Sequence, residues 1–215
     1  MWDLFVRAAP LLAEGVVVTI FLGTTSFALG SLIGLLVALA RLSGIAPLTA
    51  FAVVYLSIFR GTPMLVQILL IYFGLPQLGI SLDPIPSAII ALSLGVASYQ
   101  SENFRSGILG VEKGQREAAF SIGMTGWQAL RRIVFPQALR IATPTIGNRF
   151  IALMKDTSLA SVVTVVELTR VAERVGSATF RYLEMFVVIA AIYWAISTVL
   201  SIGQETLERR MARAY

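Results

Sequence analysis

From residue 15 to residue 40 the chain carries no charged side chain. An apolar run of that length, wound as a helix, outspans a bilayer core of about 30 Å. In lipid, every backbone N–H and C=O must be satisfied within the chain, so runs of this kind can only be helices or parts of a closed barrel. Further apolar runs fall at 48–75, 87–111, 137–166 and 184–203. At 20 to 30 residues each they are far too long for barrel strands. The expected fold is therefore all-α, a polytopic membrane protein in which residues 1–215 form one transmembrane domain of five spans.

Each run has internal detail. Residues 1–14 are short and amphipathic, with Pro10 expected to start the first spanning helix. Ser26, Gly30 and Gly34 recur every four residues, a small-residue stripe on which another helix can pack closely. The second run is interrupted by Arg60-Gly61-Thr62-Pro63; neither half spans alone, so a discontinuous helix is expected, and irregular backbone at that depth survives only inside protein or beside a cavity. The turn-rich loop at 76–86 cannot be helical throughout. Tyr99, Glu102 and Arg105 share a face near the end of the third run and can pair. Pro144 and Gly147 are expected to break the fourth run, which also holds Arg149, Lys155 and Asp156. Residues 167–182 read as a loop or surface helix, and 205–215 as a charged tail.

Composition removes several classes of function. The sequence is 57% hydrophobic and only 13% charged, which a soluble domain does not need. A net charge of +5 invites a nucleic-acid reading, but no basic stripe with interleaved aromatics is present. With no histidine and no cysteine, disulfides, Cys/His metal sites and His- or Cys-based catalysis are excluded, and no catalytic or metal-ligating residue is assigned. No G-x-x-x-x-G-K-[ST] occurs, so the chain has no P-loop of its own. Asp3, Glu14 and the lack of an A-x-A-like site argue against a cleaved signal peptide.

One polar-to-amphipathic stretch lies between the third and fourth spans, within 112–136. Residues 115–122 can form two helical turns, stopped by Gly123, which takes the left-handed conformation without steric cost. Thr125 and Gln128 fit a capping box for a second helix. Trp127, Leu130 and Val134 give that helix one apolar face, and Pro136 is expected to stop it at Phe135. Arg131 and Arg132 fall in its last turn, where cations suit exposed carbonyls.

Glu117-Ala118-Ala119, then Gly123, Ile133 and Pro136, resemble the coupling motif of the permease subunits of ATP-binding-cassette importers, with Phe135 where that family usually has leucine. RGTPMLVQILLIYFGLP, YQSENFRSGILGVEKGQREAA and LMKDTSLASVV are similar to its polar amino acid branch, and the similarity covers about residues 57–201. The loop LPQLGISLDPIPSA is similar to members handling cystine or related sulfur amino acids. The resemblance implies a permease of the bacterial inner membrane whose helix pair docks on a separate ATPase, with ATP and Mg bound there and no cofactor in this chain. It also implies two permease chains, identical or not, two ATPase subunits and an extracytoplasmic amino-acid-binding protein.

Intramembrane polar groups are costly enough to nominate a substrate site. Asp156 is a partner for an ammonium or a polar side chain, with Thr62, Gln67 and Ser158 holding the rest; Lys155 either serves the carboxylate or only neutralises Asp156. Asp156 can alternatively cap a restarted half-helix. Thr62 and Gln67 can equally satisfy backbone freed at the break, and Arg60 can snorkel or bond carbonyls there. Glu102 reads as a structural pair with Arg105. The rival function is a self-sufficient channel or secondary transporter using Glu102 or Asp156 as its ion site. Ten positive residues (Arg41, Arg105, Lys113, Arg116, Arg131, Arg132, Arg140, Arg209, Arg210, Arg213) fall on one side of five spans and four (Arg7, Arg170, Arg174, Arg181) on the other, which puts the helix pair and C-terminus in the cytoplasm and the N-terminus outside.

Overall fold

A computed structural model describes residues 2–212, which are helical with no strand. Arg213 and the rest of the expected tail beyond 212 lie outside the described residues. Helix α1 (Trp2–Leu42) is followed by α2 (Ala46–Gly61) and α3 (Met64–Leu69), the latter prolonged by a π turn and a 3-10 turn to Leu78. Next come α4 (Pro84–Gly110), α5 (Lys113–Ser121), the short α6 (Gly126–Ala129) and α7 (Phe135–Asp156), which a 3-10 turn extends through Thr157–Val163. Helices α8 (Leu168–Thr179) and α9 (Tyr182–Ala212) complete the chain.

Helix α4 is the axis of the bundle, packed against α1 on one side and α7 on the other. Small residues make that possible. A Cβ at Gly30 would lie 2.8 Å from the Ser93 carbonyl oxygen, and one at Gly34 would lie 2.9 Å from that of Ala97. The stripe at Ser26, Gly30 and Gly34 is thus the α1 surface on which α4 lies, with Ser26 fully buried. On the opposite face, a Cβ at Gly107 would lie 2.6 Å from the Ala138 carbonyl oxygen of α7. Around these close approaches Leu22, Ile68, Leu92, Val96, Leu153 and Val163 form a fully buried apolar core.

Two helices, Asp3–Leu42 and Tyr182–Met211, are by themselves long and apolar enough to cross a membrane. The pair α2 and α3 passes the same criterion together, but it is bent by 106° at the Gly61–Pro63 break. The two halves of the second apolar run therefore do not continue as one rod.

Several expected boundaries fail. Pro10 does not start a helix but lies inside α1 on an exposed face, and Val6, whose carbonyl it frees, is exposed as well. Pro136 does not stop a helix either. The backbone stays right-handed helical through a π turn at Leu130–Val134, in which Phe135 N–H donates to the Leu130 carbonyl five residues back, and the proline follows within α7. Pro144 and Gly147 likewise leave α7 unbroken; Gln204 of α9 donates to the Pro144 carbonyl at 2.9 Å, and a Cβ at Gly147 would collide with the same Gln204 side chain. The charged tail is helical as far as Ala212. The segment taken for a loop or surface helix is a buried-faced helix, α8, with Leu168, Val171 and Ala172 in a second core shared with α1 and α9.

Candidate functional site: a helix pair and a polar cluster

The first site is the unit from α5 to α6. Gly123 has φ +80°, where a side chain would be strained, and the N–H groups of Ile122, Gly123 and Met124 return to the last carbonyls of α5. Both halves of the capping box are formed: Gln128 N–H donates to Thr125 Oγ1 at 3.3 Å, and Thr125 N–H to Gln128 Oε1 at 2.9 Å. Arg116 donates to the Ile108 carbonyl at 2.7 Å and Gln137 to Gln115 Oε1 at 3.2 Å, which fastens α5 to the ends of α4 and α7. Ala119 and Ala129 are buried at the inner contact, while Glu117 and Ala118 face outward, Ile133 is half-buried and Pro136 is exposed. Trp127 does not join Leu130 and Val134 on the inner face. It is 65% exposed and, with Phe120 at 54% and Ile122 at 74%, leaves an apolar tip around the glycine turn.

The second site lies where α2, α4 and α7 meet. The Arg60 guanidinium sits over the Tyr99 ring at 5.5 Å, and that of Arg149 over the same ring at 4.5 Å. Arg60 Nε also donates to the Ser98 carbonyl at 3.3 Å, so it bonds a neighbouring helix rather than the carbonyls of its own break. Those are taken by Gln67, whose amide nitrogen donates to Phe59 and Thr62 oxygens at 2.9 Å each; its Oε1 is buried without a partner.

Asp156 pairs with Arg149 at 3.1 Å, not with Lys155, which is exposed. Seven residues fall 20° short of two full turns, so Arg149 and Asp156 share a face of α7, while Lys155 points about 100° away. The Asp156 side chain makes no cap on the 3-10 turn after it. Ser158 donates to the Lys155 carbonyl at 2.7 Å. Thr62 and Gln67 are thus joined at the break, Asp156 is joined to the break through Arg149, Tyr99 and Arg60, and Lys155 stands outside that chain of contacts. Sequence reasoning missed Arg149 as the partner of Asp156, although its spacing carried the signal.

Glu102 is held between Arg41, at 2.7 Å, and Arg105. Tyr99 does not join that group. Glu102, held between two arginines, is not an uncompensated carboxylate ready for a cation or proton, and the channel or secondary-transporter reading gains no support. A further buried carboxylate, Glu167, went unnoticed in the sequence. It caps α8 by accepting from Thr169 N–H and Arg170 N–H at 2.9 Å each and takes the Tyr193 hydroxyl of α9 at 2.7 Å.

Residues 30–213 match the family described as the binding-protein-dependent transport system inner membrane component. The chain belongs to that family. It is 45% identical over 214 residues to the L-cystine transport system permease protein TcyB of Bacillus subtilis, covering 99% of this chain and 92% of the relative. It is 37% identical over 212 residues to the glutamine transport system permease protein GlnP of Escherichia coli, covering 98% and 97%. A crystal structure of an amino acid ABC transporter with histidines superposes with a TM-score of 0.90 at 39% identity over 96% of both chains. These relatives are amino-acid transport permeases, and the chain is a membrane transport component of the same family.

Proposed function

We propose that this permease is one half of the transmembrane pathway of an ATP-driven importer for cystine or a closely related polar amino acid. Two such chains face each other across five spans each, two ATPase subunits dock on the α5–α6 units, and an extracytoplasmic binding protein delivers the substrate. ATP and Mg stay on the ATPase. The observation that carries this reading is the exposed apolar tip of Phe120, Ile122 and Trp127 on a helix pair fastened rigidly to α4 and α7. An apolar patch on a water-facing turn fits a protein partner, and its anchors would pass the movement of a docked subunit to the central helices. The substrate class is supported by the 45% identity to a cystine permease.

The orientation is N-terminus outside and C-terminus in the cytoplasm. Its support is that Arg41, Arg105 and Arg116 gather at one end of the bundle with α5, and Arg7, Arg174 and Arg181 at the other. The substrate is bound beside the α2–α3 break. Arg60, stacked on Tyr99 and lacking a carboxylate partner among the described residues, suits the substrate carboxylate; Asp156, one-third exposed, suits the ammonium. Thr62, Gln67 and Ser158 supply further hydrogen-bonding groups, and Lys155 is a second cation at the same level. A desolvated zwitterion needs partners of both signs, and this cluster holds both.

Co-purification with the ATPase tests the docking. Wild-type chain should retain it, whereas Gly123→Val and Glu117→Lys should insert in the membrane normally and lose it; retention by both variants would remove the docking role from this unit.

A further inference from the structure

At the end of the bundle opposite the helix pair, the first turns of α1 and the last turns of α8 enclose a groove of about 600 Å³. Its walls are mainly apolar, with Leu11 of α1 and Val175 of α8 along them, and three guanidiniums, Arg7, Arg174 and Arg181, surround it together with one carboxylate, Asp3. Positive residues are disfavoured on the outer side of a membrane protein, so those present call for a reason. Two have one three residues on: Arg170 pairs with Glu173 at 2.9 Å, and Arg181 pairs with Glu184. Arg7 and Arg174 are exposed, make no ion pair among the described residues, and line the same groove.

The surroundings place this groove at a membrane–water boundary. Beside it, the turn from α8 to α9 holds Phe180 with φ +57° and 90% exposed, followed by Tyr182 at 44% and Leu183 at 78%. Aromatic and apolar side chains held outward next to arginines are the pattern of residues that anchor at headgroup level. An apolar trough ending in two guanidiniums without an ion pair among the described residues matches an anionic amphiphile: phosphate oxygens accept bidentate hydrogen bonds from arginine, and the attached chain lies along the apolar wall. An acidic protein surface would satisfy the arginines but would leave the trough unfilled.

We propose that this groove is a binding site for an anionic phospholipid of the outer leaflet, its phosphate held by Arg7 and Arg174 and its acyl chain lying along Leu11 and Val175. The proposal rests on the permease reading for the bundle being embedded in lipid with its N-terminus outside, and its test does not read transport.

The full-length chain, purified in neutral detergent, is titrated with phosphatidylglycerol, phosphatidylcholine or inorganic phosphate, with bound ligand counted by native mass spectrometry and thermal unfolding followed in parallel. Wild type should bind phosphatidylglycerol at least tenfold more tightly than phosphatidylcholine, gain melting temperature with it, and bind inorganic phosphate far more weakly than the lipid. The double variant R7Q/R174Q should lose that preference, while R209Q/R210Q, at the far end of α9, should keep it. Equal wild-type binding of the two lipids overturns the proposal without reliance on any variant. So does inorganic phosphate binding as tightly as the lipid, or unchanged lipid preference in R7Q/R174Q. If R7Q/R174Q keeps the lipid and instead loses affinity for the extracytoplasmic binding protein, the two arginines belong to protein docking and the lipid assignment falls.

Discussion

The pairing of Asp156 with Arg149, rather than with its neighbour Lys155, makes a specific prediction about charge removal. The two side chains are 3.1 Å apart and only 32% and 16% exposed. At an effective dielectric constant of about 20, charges at that separation attract by about 5 kcal/mol before desolvation is counted. Breaking a fully buried pair costs about 3–5 kcal/mol and an exposed one less than about 1 kcal/mol. Partial exposure places Asp156→Asn at about 2 kcal/mol, roughly a 30-fold shift in the folding equilibrium. Lys155→Met, which removes an exposed cation with no ion pair among the described residues, should cost under about 0.5 kcal/mol. Removing both partners in R149M/D156N should return stability close to wild type, since replacing a buried ion pair with apolar groups is often neutral. Uptake should nevertheless remain abolished in the double variant, because the ammonium partner is gone. The assay is reversible unfolding in mixed micelles alongside uptake in reconstituted vesicles. If K155M/D156N is rescued instead of R149M/D156N, the pairing is wrong; if R149M/D156N regains uptake, Asp156 is structural and not a substrate group.

Three further outcomes are expected from the packing and the topology. Gly30→Val should destabilise by about 1–3 kcal/mol through overpacking at the α1–α4 contact, where a Cβ would lie 2.8 Å from the Ser93 carbonyl oxygen, measured by unfolding in the same micelles. Thr125→Ala, which removes the formed capping box, should weaken α6 by about 1 kcal/mol and raise amide exchange in Trp127 and Gln128 while leaving α4 protected. A reporter fused after Tyr215 should read as cytoplasmic and one inserted within 77–83 as external; the opposite result reverses the orientation.

The features legible in the sequence were local ones. The glycine turn at Gly123, the Thr125–Gln128 capping box, the break at Arg60–Pro63 and the Ser26–Gly30–Gly34 stripe all depend on residues within a turn or two of one another. Their backbone chemistry is the same in any surroundings. The prolines misled because their effect depends on packing that the local sequence does not record. Gln204, sixty residues away, binds the Pro144 carbonyl and packs against Gly147, tying α9 to this part of α7, and a π turn precedes Pro136. In the candidate site, adjacent Lys155 and Asp156 suggested a pair, whereas helix geometry favours a residue seven positions back. Tyr99 gathers arginines from α2 and α7, and no spacing along one helix carries that information. Glu167 looked like part of a polar loop; only the packing of α1 and α9 around it turns it into a buried cap.

The central claim is that transport through this chain is powered by an ATPase bound at the α5–α6 unit. Its most direct test is cystine uptake into proteoliposomes that contain the permease chain, with its ATPase and binding protein added or withheld and either ATP or a proton gradient supplied. The account predicts uptake only when ATPase, binding protein and ATP are present together, and none from a proton gradient with the permease alone. Gradient-driven uptake by the permease alone would contradict it.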